Sequence, residues 1–140
     1  MQNQHFTIDH IGIAVQNLED ALRFYQNILQ IPVVQKTEVA SEQVRVAFLQ
    51  TGEAHIELLE PASEISSIAT FLQKKGEGIH HLCIEVDHLD EILEHCKEQN
   101  VQVLSGYPKI GAKGNRIAFI HPKSSNGVLL ELSERKRKTP

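Results

Sequence analysis

Apolar residues recur at every second position near the start of this chain, and that period predicts its first element. Ile8, His10, Gly12 and Ala14 alternate with Ile11, Ile13 and Val15, the pattern of a half-buried strand. The branched set is expected to face helices. The other face carries a histidine followed by two very small residues, which leaves room there for something that is not protein.

At Asn17 the period changes. Asn17 is placed to cap a helix, with Glu19 and Asp20 in the first turn where the helix dipole favours negative charge. Leu18, Ala21, Leu22, Tyr25, Ile28 and Leu29 then form a helical stripe that stops near Pro32. Val33 to Val39, Val44 to Leu49 and Ala54 to Leu59 read as strands, separated by Ser41-Glu42-Gln43 and Thr51-Gly52-Glu53. Ile65, Ile68, Ala69 and Leu72 predict a linking helix that ends near Gly76 or Gly78.

Beyond that helix the plan recurs. His81, Cys83 and Glu85 share one face of a strand while Leu82, Ile84 and Val86 share the other. Asp87 is expected to cap a helix running to Gln99, and strands follow at Val101 to Ser105, Arg116 to Ile120 and Gly127 to Ser133. The longest irregular stretch, Gly106 to Asn115, holds Gly106, Gly111, Gly114, Lys109 and Lys113. A loop of that length inside a compact domain points to function, although it lacks the spacing of a dinucleotide or phosphate-loop motif.

Sliding the sequence along itself until His10 falls on His81 makes the recurrence explicit. Ile8 to Val15 lies over Ile79 to Val86, Arg45 to Leu49 over Arg116 to Ile120, and, after a small expansion of one turn, Ile56-Glu57-Leu58 over Leu130-Glu131-Leu132. Each half is one supersecondary unit that buries its core against the other. The expected fold is therefore α+β: two tandem βαβββ modules, about residues 6–61 and 77–133, in a single domain over 1–140. They would form a curved mixed sheet around a metal cleft. Residues 134–140 are expected to be a disordered basic tail.

Composition narrows the function classes. The chain is 41% hydrophobic and 23% charged with a net charge of −4, ordinary for a soluble domain and opposed to a nucleic-acid surface. No apolar stretch approaches membrane-spanning length, and the N-terminal residues do not resemble a signal peptide. The protein is expected in the cytoplasm with no membrane partner. Cys83 and Cys96 then read as reduced thiols.

Of the eight histidines, His5, His88 and His95 read as solvated, His80 points away from His81, and His121 ends a strand. His55 shares the face of Glu57 and reads as a spare ligand or a supporting residue. His10 and His81 differ because they coincide under the repeat, and so do Glu57 and Glu131. Two imidazoles and two carboxylates brought together by a pseudo-twofold make a first-row metal site with two open positions, suited to Co²⁺, Mn²⁺, Ni²⁺, Fe²⁺ or Zn²⁺. Two adjacent open positions can chelate a substrate through two oxygens and stabilise an enolate or alkoxide.

The duplicated plan with its His-Glu-His-Glu donors resembles the vicinal oxygen chelate superfamily. More narrowly, Ile8 to Val15, Gly76 to His81, Pro108-Lys109, Gly114 to Ile117, Phe119 to Lys123 and Gly127 to Leu132 look like methylmalonyl-CoA epimerase. The resemblance covers about Phe6 to Ser133. It implies interconversion of the (R) and (S) forms of methylmalonyl-CoA through a metal-stabilised enolate, by a homodimer holding a divalent metal, cobalt first, with Mn²⁺, Ni²⁺ or Zn²⁺ as the other choices. It implies His10, Glu57, His81 and Glu131 as metal ligands, with Glu131 also the catalytic general base. Lys113, Arg116 and Lys123 are the candidate contacts to an acyl-CoA; Arg116, whose counterpart under the repeat is Arg45, reads alternatively as a structural strand residue.

One position departs from the pattern. Val46 stands where some members of that family carry a glutamate proposed as the opposing base. Candidates for the second acid or base here are Glu42, Gln43, His55 or a metal-bound water. Competing functions are lactoylglutathione lyase, another enzyme of the superfamily, or a metal-free module that binds a small molecule.

Overall fold

The computed structural model describes residues 3–111 and 113–136. The chain divides into two compact units, residues 10–80 and residues 1–9 together with 81–140. Each unit contributes four strands in mixed orientation, and three α-helices complete an α+β fold.

In the first unit β1 (Thr7–Ala14) is followed by α1 (Leu18–Leu22), β2 (Val33–Val39), β3 (Val44–Thr51), β4 (Ala54–Pro61) and α2 (Ser67–Lys75). β1 runs parallel to β4, with His10 beside His55 and Ala14 beside Leu59, and β2, β3 and β4 form an antiparallel meander. Alternation along these strands creates two cores. Val15, Ala47, Leu49 and Leu58 pack with Leu18 and Leu22 of α1, while Ala14, Val44, Val46, Phe48 and Leu59 pack with Ile68 and Leu72 of α2. Burying Leu49 and Leu58 completely stabilises the unit by ~1.5–3 kcal/mol for each side chain. The second core covers only one end of its face, and His10, His55 and Glu57 lie beyond it on the same strand faces.

The first helix starts as expected and ends differently. Asn17 Oδ1 accepts the Asp20 N–H at 3.0 Å, but α1 gives way after Leu22 to a π-helical segment, Arg23–Ile28, in which the Leu29 N–H donates to Phe24 O at 2.9 Å. Tyr25 within it still packs against the core of Leu18, Leu22, Leu49 and Leu58. Ile28 is 70% exposed, and Phe24 and Leu29 are exposed with it. α2 closes as its sequence predicts, with Ser66 Oγ accepting the Ile68 N–H at 3.1 Å and Gly76 at a φ of +76° after its last turn.

The second unit contains most of β5 (Gly78–Val86), then α3 (Leu89–Glu98), β6 (Lys109–Ile110), β7 (Arg116–Ile120) and β8 (Leu130–Glu134). β5 runs parallel to β8, and β8, β7 and β6 are antiparallel neighbours. Val86, Ala118, Ile120 and Leu132 pack with Leu89 of α3. The strand expected at Val101 to Ser105 is reduced to an isolated bridge between Val103 and Ile120. Pairing with β7 resumes only at Lys109 and Ile110, inside the stretch read as irregular. Gly106 at φ +86° and Pro108, which has no N–H to give a ladder, separate the two pieces.

Asp87 is not the cap of α3. Its N–H and that of His88 donate to Gln4 Oε1, both at 3.0 Å. Its carboxylate instead accepts from the His5 N–H at 2.7 Å, the His5 ring at 2.8 Å and Arg135 Nε at 2.9 Å. Arg135 also reaches Glu85. Part of the segment read as a tail is thus anchored: Glu134 ends β8 and Arg135 is paired, while residues 137–140 lie outside the described residues.

The hydrogen bond from the His5 ring, then that from the His5 backbone, with the attraction of Arg135, holds the Asp87 carboxyl below its ordinary 3.8. A depressed folded value means that this group contributes stability above the ordinary value and loses the contribution as pH falls through the folded one. Asp87→Asn is therefore expected to lower the melting temperature at pH 7 and to weaken its fall between pH 4 and pH 3, relative to wild type. An identical pH dependence in calorimetry of the two proteins would show that the clasp is not felt in folding.

Candidate functional site

Each unit presents one buried histidine against one buried or nearly buried glutamate. In the first, His10 Nε2 lies 3.0 Å from Glu57 Oε2. In the second, His81 Nε2 lies 3.2 Å from Glu131 Oε1. His10 and His81 are each 5% exposed and Glu131 is 9% exposed. Strand alternation produces this burial, because Leu58 on β4 and Leu132 on β8 turn into the cores under α1 and α3 and send Glu57 and Glu131 to the opposite face.

An aromatic ring stands beside each carboxylate. Phe48 is the register partner of Glu57, and Phe119 that of Glu131. Phe119 packs edge-on to His81, with centroids 6.0 Å apart, and Tyr107 packs on Phe119 at 5.2 Å. In the first unit Phe48 meets His55 edge-on at 6.4 Å.

The separations within each pair suit a shared cation. Two donors at ~2.1 Å from one ion and about 90° apart stand ~3.0 Å from each other. Imidazole nitrogen with carboxylate oxygen is the donor chemistry of Co²⁺, Mn²⁺, Ni²⁺ and Zn²⁺, and the pairs contain no thiolate of the kind a structural zinc takes.

The basic residues divide into two groups. Lys113 is exposed, with Nζ 4.0 Å from the carboxylate of Asp9, and Lys123 is exposed in a 3₁₀ turn, Pro122–Ser124. Arg116 is engaged. Its guanidinium holds both oxygens of Asp90, at 2.7 and 3.2 Å, and approaches Glu134 at 3.6 Å. Those contacts, Asp90 first, raise its pKa.

Glu134 also serves the next helix, since its Oε2 accepts the Leu89 N–H at the start of α3, at 3.0 Å. The first unit repeats this device, with Arg45 3.0 Å from Glu60 and Glu60 accepting the Leu18 N–H at 3.2 Å. Sequence reasoning missed both clamps. Their signal was present, because Leu18, Arg45 and Glu60 fall on Leu89, Arg116 and Glu134 under the same repeat.

Val46, at 2% exposure, belongs to the apolar cluster under α2. Gln43 sits at φ +53° and pairs with Ser63. Of the side chains considered for the second acid or base, His55 is the one on the face of His10 and Glu57 and beside them in register.

This duplicated βαβββ plan matches the model of the Glyoxalase/Bleomycin resistance protein/Dioxygenase superfamily over residues 9–119. The chain is 42% identical over 129 residues to the Ethylmalonyl-CoA/methylmalonyl-CoA epimerase of Cereibacter sphaeroides, covering 91% of this chain and 96% of that one. It is 42% identical over 128 residues to the mitochondrial methylmalonyl-CoA epimerase of Homo sapiens, covering 91% of this chain and 73% of that one. A solved methylmalonyl-CoA epimerase in complex with methylmalonyl-CoA and NH4+ superposes with a TM-score of 0.84 at 34% identity, over 95% of this chain and 97% of that one. The chain belongs to the glyoxalase/bleomycin resistance protein/dioxygenase superfamily and, within it, to the methylmalonyl-CoA epimerase family of isomerases.

Proposed function

We propose that this chain interconverts the (R) and (S) forms of methylmalonyl-CoA, and that His10, Glu57, His81 and Glu131 hold the divalent ion that the reaction uses. The observation that carries the reading is the buried His–Glu contact repeated in each unit, in a chain whose relatives at 42% identity are named as epimerases of this substrate.

The acidic carbon of the substrate lies between a thioester and a carboxylate. When bound, the ion, cobalt by preference, supplies Lewis-acid stabilisation to the negative charge that builds on the thioester oxygen. Glu131 takes the proton from that carbon. Its carboxylate, 3.2 Å from His81 Nε2, is held on a strand whose neighbouring residues are in the core, so it needs little reorganisation to act. Glu57 stands 3.0 Å from His10 Nε2 and adds negative charge to the site. Reprotonation from the other face completes the inversion.

Lys113 and Lys123, exposed and cationic, are proposed to meet the anionic groups of the acyl-CoA. Arg116, held by Asp90 and Glu134, is assigned to the scaffold. Lys113→Glu and Lys123→Glu are each expected to raise KM by about two- to fivefold, the scale of the ~1 kcal/mol or less carried by an exposed charge pair. The effect should shrink with added salt, and a thioester without the nucleotide phosphates should not register it. A homodimer is proposed too, with Phe24, Ile28 and Leu29 as exposed apolar surface for it. A cytoplasmic setting is proposed too, with Cys83 and Cys96 as reduced thiols.

The deciding experiment follows one stereoisomer of methylmalonyl-CoA in deuterated water by NMR. The reading predicts metal-dependent inversion with deuterium entering at C2. Turnover of methylglyoxal hemithioacetal with no change to methylmalonyl-CoA would establish the lyase instead.

A further inference from the structure

His55 carries an unusual burden for a strand residue. It stands two positions before Glu57 on the same face of β4, beside His10 of β1 and opposite Gln50 of β3. Its Nδ1 is a buried side-chain nitrogen without a hydrogen-bond partner, the one such atom among the described residues. Burying a polar atom unpaired costs folding free energy, and each such atom in a native fold needs a reason.

Packing supplies no reason. Phe48 meets the ring edge-on, and the face beyond it, built from Val46, Leu59 and α2, is apolar. A phenylalanine would suit those neighbours without stranding a nitrogen. An orphaned N–H is rarer in folded proteins than an orphaned acceptor, and the unpartnered Nδ1 leaves Nε2 as the nitrogen available to donate. That nitrogen is at the tip of the ring, further from the strand than Nδ1.

We propose that His55 is a substrate-binding residue. Its Nε2–H donates a hydrogen bond to a carbonyl or carboxylate oxygen of the acyl thioester and fixes the reacting carbon against the first unit, on the face where Val46 offers no polar group. This inference rests on the epimerase reading. It names what the first unit contributes to the substrate besides metal ligands.

The test compares wild type with His55→Phe, His55→Gln and His55→Asn. Each protein is assayed for kcat/KM on methylmalonyl-CoA, for bound cobalt and for melting temperature. Glutamine can place an amide donor near the position of Nε2, and asparagine near that of Nδ1. His55→Phe should lose about tenfold in kcat/KM, the scale of one missing hydrogen bond. Its cobalt content should not change, and its melting temperature should rise by about 2–4 °C as the stranded nitrogen is removed. His55→Gln should recover most of the rate and His55→Asn should not.

Full activity in His55→Phe overturns the inference, and so does loss of cobalt in step with loss of rate. If the phenylalanine variant does not fold, His55→Asn decides, since wild-type activity there is equally fatal. A wild type that leaves methylmalonyl-CoA unchanged overturns the epimerase reading and takes this inference with it. An active wild type with an indifferent His55 overturns this inference alone.

Discussion

Glu131→Gln is expected to abolish solvent exchange at C2 of methylmalonyl-CoA while the protein stays folded and retains much of its metal. The amide has nearly the shape of the carboxylate, can still offer an oxygen, and can still meet His81 at the position that Glu131 occupies 3.2 Å away. What it lacks is the basicity to accept a proton from carbon. The rate of epimerisation should fall by ~10² or more, as for other lost general bases. Deuterium uptake followed by NMR separates this step from inversion. Full exchange in Glu131→Gln would move the base to another residue, and exchange without inversion in wild type would place the defect on the face that Val46 lines.

The second large effect concerns the ion. His81→Ala and His10→Ala should each lose the metal, with affinity lowered by more than the ~10- to 100-fold that follows loss of a supporting residue outside the ligand shell. Activity should fall in proportion to metal content and return only partly at high metal concentration. Each substitution also strips Glu131 or Glu57 of its buried partner, and a buried carboxylate left alone destabilises the fold. Metal analysis after dialysis, read beside the melting temperature, separates the two consequences. A His81→Ala protein with wild-type cobalt would remove His81 from the ligand set.

The sequence made the site's residue pairs legible because duplication is a strong filter. A lone histidine near a glutamate is common, but a histidine and a glutamate that both recur at one shift, each on the small-residue or polar side of its strand, are constrained twice. Strand alternation then told which face they share, and the structure agrees at Leu58 and Leu132, whose burial turns Glu57 and Glu131 to the other side. The start of the first helix, governed by the neighbouring side chain of Asn17, was equally accessible.

What escaped was decided at long range. The π-helical segment at Arg23–Ile28 has no local mark, since a stripe of Tyr25, Ile28 and Leu29 fits an ordinary helix as well. α3 takes its cap from Glu134 and Gln4, distant in sequence, so Asp87, the locally obvious choice, was free to bind His5 and Arg135. The partners of Arg116, Asp90 and Glu134, cannot be read from its neighbours along the chain, although its counterpart Arg45 left a structural role open from the sequence alone.

The clamps and the clasp imply an order of assembly during synthesis. The first unit obtains the cap of α1 from Glu60, so that helix can be secured once its own module has left the ribosome, in keeping with the tendency of N-terminal segments to fold first. Gln4 and His5 are made before all of this, yet their partners Asp87 and His88 come more than half the chain later. Gln4 and His5 must therefore wait, and contacts across so long a stretch of chain are slow to close. The strand that carries His10 is thus fastened at its start only after His81 has been made, which ties completion of the first histidine's strand to the arrival of the second.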